Sequence, residues 1–552
     1  MSRTALLFSL LLMAACSEAK PPVASNAESK LWVDSVYSRL NENERIGQLF
    51  MVAAYSGGPN FNAPAIEKLL KNHQIGGLIF MQGGPVRQAN LTNRFQEMAQ
   101  VPLLLAMDAE WGLGMRLDSV VDLPKQMTIG ATNDSGLAYV LGAAVAAQCR
   151  RIGVHVDFAP VVDVNNNPAN PVINARSFGE DKYRVAKMGI AYMKGLQDFG
   201  IMACAKHFPG HGDVTVDSHK DLPLISKSRA QLDSLELYPF REMIHAGVQS
   251  MMVAHLEVPA LEKEPHVPTT LSKNTVTNLL KKELGFKGLV FTDALDMKGV
   301  AKYFNHGEAD VRAFIAGNDV LLFSQDVPLA IQKIKAAIAE GKVPLTALET
   351  SVKKILKAKY DAGLSHFTPI NTNNLVADIN QYTATVNQRV AEAAITLVRN
   401  KEHLIPIPKK DRVLQIFLGA KMPKENPELT ARCSKLETIS TIENSTIEDA
   451  ALKANSSNWD VIVIAVEGLS FYPGKSYGLD AATLAFINKM ALKKNVIIAM
   501  MGNAYALKYA CNAPNLICGF EGNEWTVAAL QNVLSGKQKA TGILPVTPPC
   551  LR

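Results

Sequence analysis

Short apolar runs alternate with amphipathic stretches along the first two thirds of the chain, from Leu31 to about Leu364. Continuous apolar runs predict parallel strands buried on both faces, and the amphipathic stretches between them predict helices. Eight such units in succession favour an α/β fold, a TIM-like (β/α)8 barrel. The eight candidate strands are Gly47–Ala53, Gly77–Met81, Leu103–Asp108, Val154–Val164, Met202–His207, Ser250–His255, Leu289–Asp293 and Asp319–Phe323.

A second α/β pattern follows the barrel after a stretch rich in Thr, Asn and Pro. We therefore expect a barrel domain at 31–364, a linker at 365–390 and an α/β sandwich domain at 391–552. A helix is predicted at Glu524–Leu534. The candidate strands of this part are Val413–Leu418, Val461–Val466, Val496–Met501, Leu516–Phe520 and, last, Gly542–Val546.

The first thirty residues have the pattern of an export signal and a tether. Arg3 precedes the apolar run Ala5–Ala15, which is too short for a transmembrane span, and small residues come directly before Cys16. This arrangement resembles a bacterial lipoprotein signal, in which Cys16 becomes the acylated N-terminus. We expect an exported periplasmic or cell-surface lipoprotein that meets the membrane only through this lipid. The alternative is an ordinary secretory signal with an incidental cysteine.

Charge and cysteine content narrow the function classes. The net charge of +6 is the difference between 57 basic and 51 acidic residues spread along the chain, without a basic run, so nucleic-acid binding is not expected. The sequence contains no CxxC pair, so its cysteines give no indication of a metal site. Export permits disulfides, and Cys511 could pair with Cys518 or with Cys550.

A loop after the fifth candidate strand concentrates residues suited to chemistry. The apolar run Ile201–Ala205 leads into KHFPGHGDVTVDSH, which holds one lysine, two aspartates and three histidines. Loop residues at the carboxyl ends of barrel strands commonly carry function. Within it, Asp217 and His219 are spaced so that the carboxylate could orient an imidazole, which can donate and accept a proton near neutral pH.

The segment KHFPGHGDVTVDSHKDLP resembles the signature loop of glycoside hydrolase family 3, in its bacterial β-N-acetylglucosaminidase branch. The resemblance implies that Asp217 and His219 form the acid/base dyad. It also implies that Lys206 and His207 bind hydroxyls of the sugar at subsite −1, and that no cofactor is required. We expect a carbohydrate as the partner of this loop.

The nucleophile that a retaining glycosidase needs is expected at Asp293. This residue ends an apolar strand in GLVFTDALDMK, where a barrel exposes side chains at its mouth, and the family pattern has its nucleophilic aspartate after a serine or threonine at this place. The competitor Asp296 is interpreted as a cap of the following helix.

Further sugar-binding residues are implied by the same resemblance. Asp108 ends a strand in LLAMDAEWG, where the family has Asp-x-Glu-Gly-Gly-Arg. This chain has Trp111 in place of the first of those glycines, and Arg116 is the candidate for the displaced arginine. Arg176, in NARSFGED, is similar to an arginine that hydrogen-bonds the ligand.

Together these residues predict a retaining exo-β-N-acetylglucosaminidase (β-N-acetylhexosaminidase) that removes terminal N-acetylglucosamine from peptidoglycan fragments or related glycans. The imidazole of His219, unlike a carboxylate acid, would not repel a leaving group that bears a carboxylate. For the same reason it would tolerate an incoming phosphate in place of water, so phosphorolysis is conceivable. The alternatives are a family 3 β-glucosidase or xylosidase, an N-acetylglucosamine phosphorylase, and a non-catalytic glycan-binding lipoprotein. The lysine in the histidine loop argues against a metal site.

Overall fold

The computed structural model describes residues 26–218, 220–456 and 458–551. It divides into two compact units. The first unit comprises the described residues up to Leu123 together with Ala138–Val164 and Ala186–Thr383. The second comprises Pro124–Leu137, Asn165–Val185 and the described residues from Ala384 onward. The second unit thus includes two segments that come, in sequence, from between barrel strands.

The first unit is built on eight parallel strands in the circular order β7-β6-β5-β4-β3-β2-β1-β8. A parallel bridge between Phe291 and Val320 links the two outer strands and closes the barrel, as the apolar runs predicted. Their buried side chains explain why these segments read as continuous apolar runs. The strands are β1 (Phe50–Ala54), β2 (Gly77–Phe80), β3 (Leu104–Met107), β4 (Val156–Asp157), β5 (Met202–Phe208), β6 (Ser250–Val253), β7 (Leu289–Thr292) and β8 (Leu321–Leu322).

Helices of the first unit lie between and after these strands. Asn274–Glu283, expected as an α-helix, is a π-helix. The α-helices are α1 (Asn26–Arg39), α2 (Glu42–Gly47), α3 (Ala63–His73), α4 (Pro85–Met98), α6 (Ser135–Arg151), α7 (Lys182–Asp198), α8 (Arg229–Ser234), α9 (Leu237–His245), α10 (Lys298–Ala301), α11 (Glu308–Ala316), α12 (Val327–Ala339), α13 (Leu345–Asp361) and α14 (Leu375–Asn380); α5 (Gln126–Thr132) belongs to the second unit, and α6 and α7 begin in it.

Three features of the first unit differ from the sequence expectations. The expected strand Val154–Val164 is reduced to β4, because Pro160 has no backbone N–H to continue the ladder. Helix α1 begins at Asn26, so the last residues of the expected tether are helical. The expected linker also contains α14 and the start of a further helix rather than irregular chain only.

The second unit contains a six-stranded sheet in the order β11-β10-β12-β13-β14-β9, with β9 antiparallel and the others parallel. Separate apolar clusters cover its two faces, the arrangement of an α/β sandwich. The strands are β9 (Thr396–Asn400), β10 (Arg412–Leu418), β11 (Lys435–Ser440), β12 (Val461–Val466), β13 (Val496–Met500) and β14 (Asn515–Cys518). The remaining helices are α15 (Thr383–Ala394), α16 (Pro427–Arg432), α17 (Ile447–Asn455), α18 (Ala481–Met490) and α19 (Glu524–Ser535).

The early segments of the second unit take part in its core. Met127, Ala131 and Ala175 are buried in the same apolar cluster as the side chains of β10, β12 and β13. Main-chain hydrogen bonds add to this, since Ile543 N donates to Ala131 O at 2.9 Å. The segment Gly542–Val546 therefore forms a main-chain hydrogen bond to α5 and is not the strand we expected.

Cysteines and membrane propensity complete the description. Cys511 is disulfide-bonded, whereas Cys518 is a buried free thiol, so the Cys511–Cys518 pairing is wrong. Cys149 and Cys204 are buried free thiols. Within the described part of the chain, none of the helices combines the length and apolarity that a bilayer crossing needs. The expected signal and Cys16 lie outside the described residues.

Candidate active site

Four charged side chains meet at the carboxyl ends of β3 and β5. Lys206 Nζ lies 2.8 Å from Asp108 Oδ1 and 2.7 Å from Glu110 Oε1. Arg116 Nη2 contacts the other oxygen of Asp108 at 2.5 Å. Asp108 and Arg116 keep about a sixth of their side-chain surface exposed, at 17% and 16%, while Lys206 and Glu110 are almost fully buried. Asp108 and Arg116 are therefore the two members of this group that keep accessible surface, and the buried Lys206 and Glu110 support them.

The electrostatics of this group fix Asp108 as a carboxylate. Burial alone would raise the pKa of Asp108, but the ammonium of Lys206 and the guanidinium of Arg116 outweigh this effect and hold the pKa well below its usual range. An ionised carboxylate accepts hydrogen bonds only, which suits it to receive two hydroxyls of a sugar ring.

Asp163 organises the beginning of the signature loop from below. It is fully buried, its Oδ2 lies 2.7 Å from His207 Nδ1, and its Oδ1 accepts the backbone N–H of His211 at 2.7 Å. Burial alone would raise the pKa of Asp163, but the facing His207 outweighs this effect and lowers the pKa below its ordinary value, so the carboxyl group is ionised. Because a carboxylate only accepts, His207 carries a proton on Nδ1. Asp163 thus supports the start of this loop structurally.

Asp293 follows directly after β7, and its side chain is partly exposed. Its backbone N–H donates to Val253 O of β6 at 3.0 Å. The next carbonyl, Ala294 O, lies 2.9 Å from Nε2 of the buried His255, whose Nδ1 lies 2.8 Å from Thr270 Oγ1. These contacts hold the chain on both sides of the carboxylate, so Asp293 stands on a rigid support at the barrel mouth.

Two observations connect Asp293 with the signature loop. The charge of Asp293 acts on the imidazole of His211, whose pKa burial and the neighbouring His207 lower to about 4. In addition, Gly299 N in α10 donates to Ser218 O at 3.3 Å. The loop that carries Asp217 is therefore attached to the segment that follows Asp293. Asp217 is partly exposed, and His219 lies outside the described residues.

Asp296 is exposed and does not cap the next helix, so that interpretation is wrong. Helix α10 starts after Met297, which occupies the N-cap position and makes no side-chain cap hydrogen bond.

Arg176 belongs to the second unit, while the other sugar-binding candidates belong to the first. It ends a short 3-10 helix, and its Nη1 donates to Val172 O at 3.2 Å. Its carbonyl accepts from Gln126 Nε2 at 2.6 Å. The guanidinium is thus oriented by its own loop, and its predicted role stays a prediction.

Two buried acids at the site were not identified from the sequence as functional. Glu110 is half of the ion pair with Lys206, and the glutamate of the family pattern quoted for this strand was the signal that marks it. Asp157 lies on β4 and accepts the N–H of Ala109 at 3.0 Å, while burial raises its pKa to about 8. A neutral carboxyl beneath the Asp108 loop avoids adding a third negative charge there.

The barrel thus carries a partly exposed carboxylate directly after β7 and a group of charged side chains at the carboxyl ends of β3 and β5, the end at which barrel enzymes place their active sites. No group of three or more His, Cys, Asp or Glu in the described ranges is arranged to hold a metal ion.

Comparison with known proteins agrees with this architecture. The family described as glycosyl hydrolase family 3 N terminal domain matches residues 42–358, and the chain belongs to that family. It is similar to the β-hexosaminidase A of Pseudoalteromonas piscicida, with 33% identity over 64% of this chain and 64% of that relative. It is 29% identical to the β-N-acetylglucosaminidase/β-glucosidase of Cellulomonas fimi over 70% of each.

A solved structure extends the likeness across the whole fold. The glycoside hydrolase family 3 β-N-acetylglucosaminidase from Paenibacillus sp. str. FPU-7 is 29% identical, covers 92% of this chain and 99% of its own, and has a TM-score of 0.74. The likeness therefore includes both the barrel and the α/β sandwich.

Proposed function

We propose that the protein is a retaining exo-β-N-acetylglucosaminidase that hydrolyses terminal β-linked N-acetylglucosamine from peptidoglycan fragments or related glycans. The observation that carries this proposal is the partly exposed Asp293 at the end of β7, held by main-chain contacts on both sides and attached through Gly299 to the loop of Asp217. The names of the relatives support the substrate class.

In the proposed reaction Asp293 attacks the anomeric carbon while His219, oriented by Asp217, protonates the departing oxygen. The bond from the sugar to its neighbour breaks as the glycosyl–aspartate bond forms. Water then gives its proton to His219 and displaces Asp293 with net retention. Asp108, with Arg116 and Lys206 beside it, binds hydroxyls of the same sugar, and its negative charge stabilises the positive charge that develops on the ring.

Covalent trapping tests the nucleophile directly. A 5-fluoro glycoside of N-acetylglucosamine should leave a label on Asp293 that peptide mapping locates, and Asp293→Asn should lower kcat/KM by at least about 10³-fold. Asp296→Asn, three residues along in an exposed position, is the matched control and should keep its activity. A label on another carboxylate, or a fully active Asp293→Asn, contradicts the proposal.

A second candidate, β-glucosidase activity, is favoured by the double name of the Cellulomonas fimi relative. Turnover of an aryl N-acetylglucosaminide and of the matching aryl glucoside distinguishes the two. We expect a preference for the N-acetylated sugar, and a clear preference for glucose would overturn the substrate assignment.

We also infer that the protein is an exported lipoprotein acylated at Cys16. The support is the sequence alone: a charged start, a short apolar run and small residues before Cys16. Cys16→Ala should release the protein from the membrane fraction and abolish incorporation of labelled palmitate. Unchanged membrane association in that variant would refute the inference.

A further inference from the structure

The sheet of the second unit has a switch point at its carboxyl edge. Strand β10 is flanked by β11 on one side and β12 on the other, so the chain leaves β10 and β11 in opposite directions across the sheet. In open α/β sheets the carboxyl ends of the two strands at such a point diverge into a crevice, which is where these folds commonly bind ligands. Here the two strands are β10 and β12.

A cavity of about 510 Å³ occupies this position. Gly419 and Gly468, which follow β10 and β12, line it with φ angles of +73° and +69°. A Cβ on Gly419 would lie 3.0 Å from Glu467 O, so the glycine keeps the crevice open. The cavity has the size of ordinary small-molecule sites, which span about 300–1,000 Å³.

One lining residue is a buried carboxyl without a partner. Glu467 is 9% exposed, and its Oε1 is buried without a hydrogen-bond partner among the described residues. Burial raises its pKa to about 7, and no nearby cation opposes that effect. A buried polar group in this state destabilises the fold unless something binds to it, so it requires an explanation beyond packing.

Two helices begin at the same cavity. Thr446 caps α17 by accepting from Asp449 N at 3.1 Å, and Asp480 caps α18 by accepting from Thr483 N at 2.7 Å. Both caps line the cavity. Each cap takes one N–H of the first turn, and the N–H groups that precede it have no acceptor within the helix.

The charges of the lining select a neutral ligand. The described lining contains two carboxyl groups, Glu467 and Asp480, and no lysine, arginine or histidine, so an anion is repelled. The positive ends of the two helices disfavour a cation. Hydroxyl groups both donate to a carboxyl and accept from an N–H, so a ligand that carries several of them suits this lining.

We propose that this crevice is a binding site for a neutral polyhydroxylated ligand, a saccharide, whose hydroxyls donate to Glu467 and accept from the first turns of α17 and α18. None of these residues takes part in the proposed hydrolysis, and the site requires no turnover.

Hydrogen exchange of the full chain, followed by mass spectrometry, tests the site with N-acetylglucosamine and with glucose at millimolar concentration. We expect slower exchange in peptides that cover 441–449 and 478–484. Glu467→Leu should abolish this protection and, because it removes an unpaired buried carboxyl, should raise the unfolding midpoint by about 2–4 °C. A merely structural Glu467 would instead lower the midpoint when replaced.

Two further variants keep the test decisive if Glu467→Leu does not fold. Thr483→Val removes one lining hydroxyl and should weaken protection several-fold, whereas Thr430→Val, an exposed threonine outside the lining, should leave it unchanged. Peptides 104–118 and 204–213 report sugar in the barrel pocket separately. Protection confined to those peptides, protection by inorganic phosphate instead of sugar, or full protection in Glu467→Leu each overturns the proposal.

Discussion

Replacing Lys206 by Met tests how much the buried ion pair of Lys206 with Asp108 and Glu110 contributes to the stability of the fold. Lys206 is 2% exposed and contacts two carboxylates, Asp108 at 2.8 Å and Glu110 at 2.7 Å. Removing one partner of a buried pair leaves uncompensated charge and typically costs about 3–5 kcal/mol. We expect a loss of this size in the free energy of unfolding at pH 8. Lys357→Met removes the exposed contact with Asp361 and should cost no more than about 0.5 kcal/mol.

The pH dependence gives this prediction its sign. In the native protein the pKa of Asp108 is held low, so its stabilising pairing is present above the unfolded pKa and is lost only in strong acid. Without Lys206 only Arg116 opposes the effect of burial, so the pKa of Asp108 rises, and protonation of Asp108 offsets part of the loss as the pH falls. The loss should therefore be smaller at pH 5 than at pH 8.

Urea unfolding followed by intrinsic fluorescence at both pH values measures these losses. Adding Glu110→Gln to Lys206→Met should restore part of the stability, because it removes one of the two buried carboxylates that Lys206 neutralises. A loss below about 1 kcal/mol, or one of equal size at pH 5 and pH 8, would refute the reasoning.

Two other predictions concern residues away from the ion pair. Burial lowers the pKa of Lys359 to about 7, so the stability of the native protein falls as the pH drops from the pKa of the unfolded chain toward 7. Lys359→Met should therefore raise the thermal midpoint, and it should raise it more at pH 6 than at pH 9. An equal gain at the two pH values would contradict this prediction. A Cβ on Gly212 would lie 1.9 Å from Val164 O, a backbone atom, so Gly212→Ala should displace the signature loop. We expect kcat/KM to fall at least about tenfold while circular dichroism still shows a folded chain. Wild-type kinetics in this variant would contradict the prediction.

Sequence patterns were sufficient where burial and chemistry coincide. The barrel strands are apolar on both faces, and Asp108 and Asp293 stand where such runs end, so both the fold and these two positions could be predicted. The contact between Asp163 and His207 was not predicted, because the sequence gives no distance between residues on different strands.

Other features depend on contacts that no local pattern encodes. Strand β11 is only partly buried and reads KLETIS, without an apolar run, so its pairing with β10 was missed. Gly542–Val546 has strand-like composition but bonds to α5, a segment about four hundred residues earlier. The unpaired state of Glu467 likewise depends on what surrounds it in space, which its position after an apolar run does not reveal.

The two early segments of the second unit have a consequence for how the protein can be made. The chain passes between the units five times, near residues 123, 137, 164, 185 and 383. A fragment that stops at 383 would expose Met127, Ala131 and Ala175 to water, and one that starts there would lack them in its interior. During synthesis these segments can pack into the core of the second unit only after the last third of the polypeptide has been made. The two units therefore complete their folding together, and no single cut in the chain yields two fragments that fold independently.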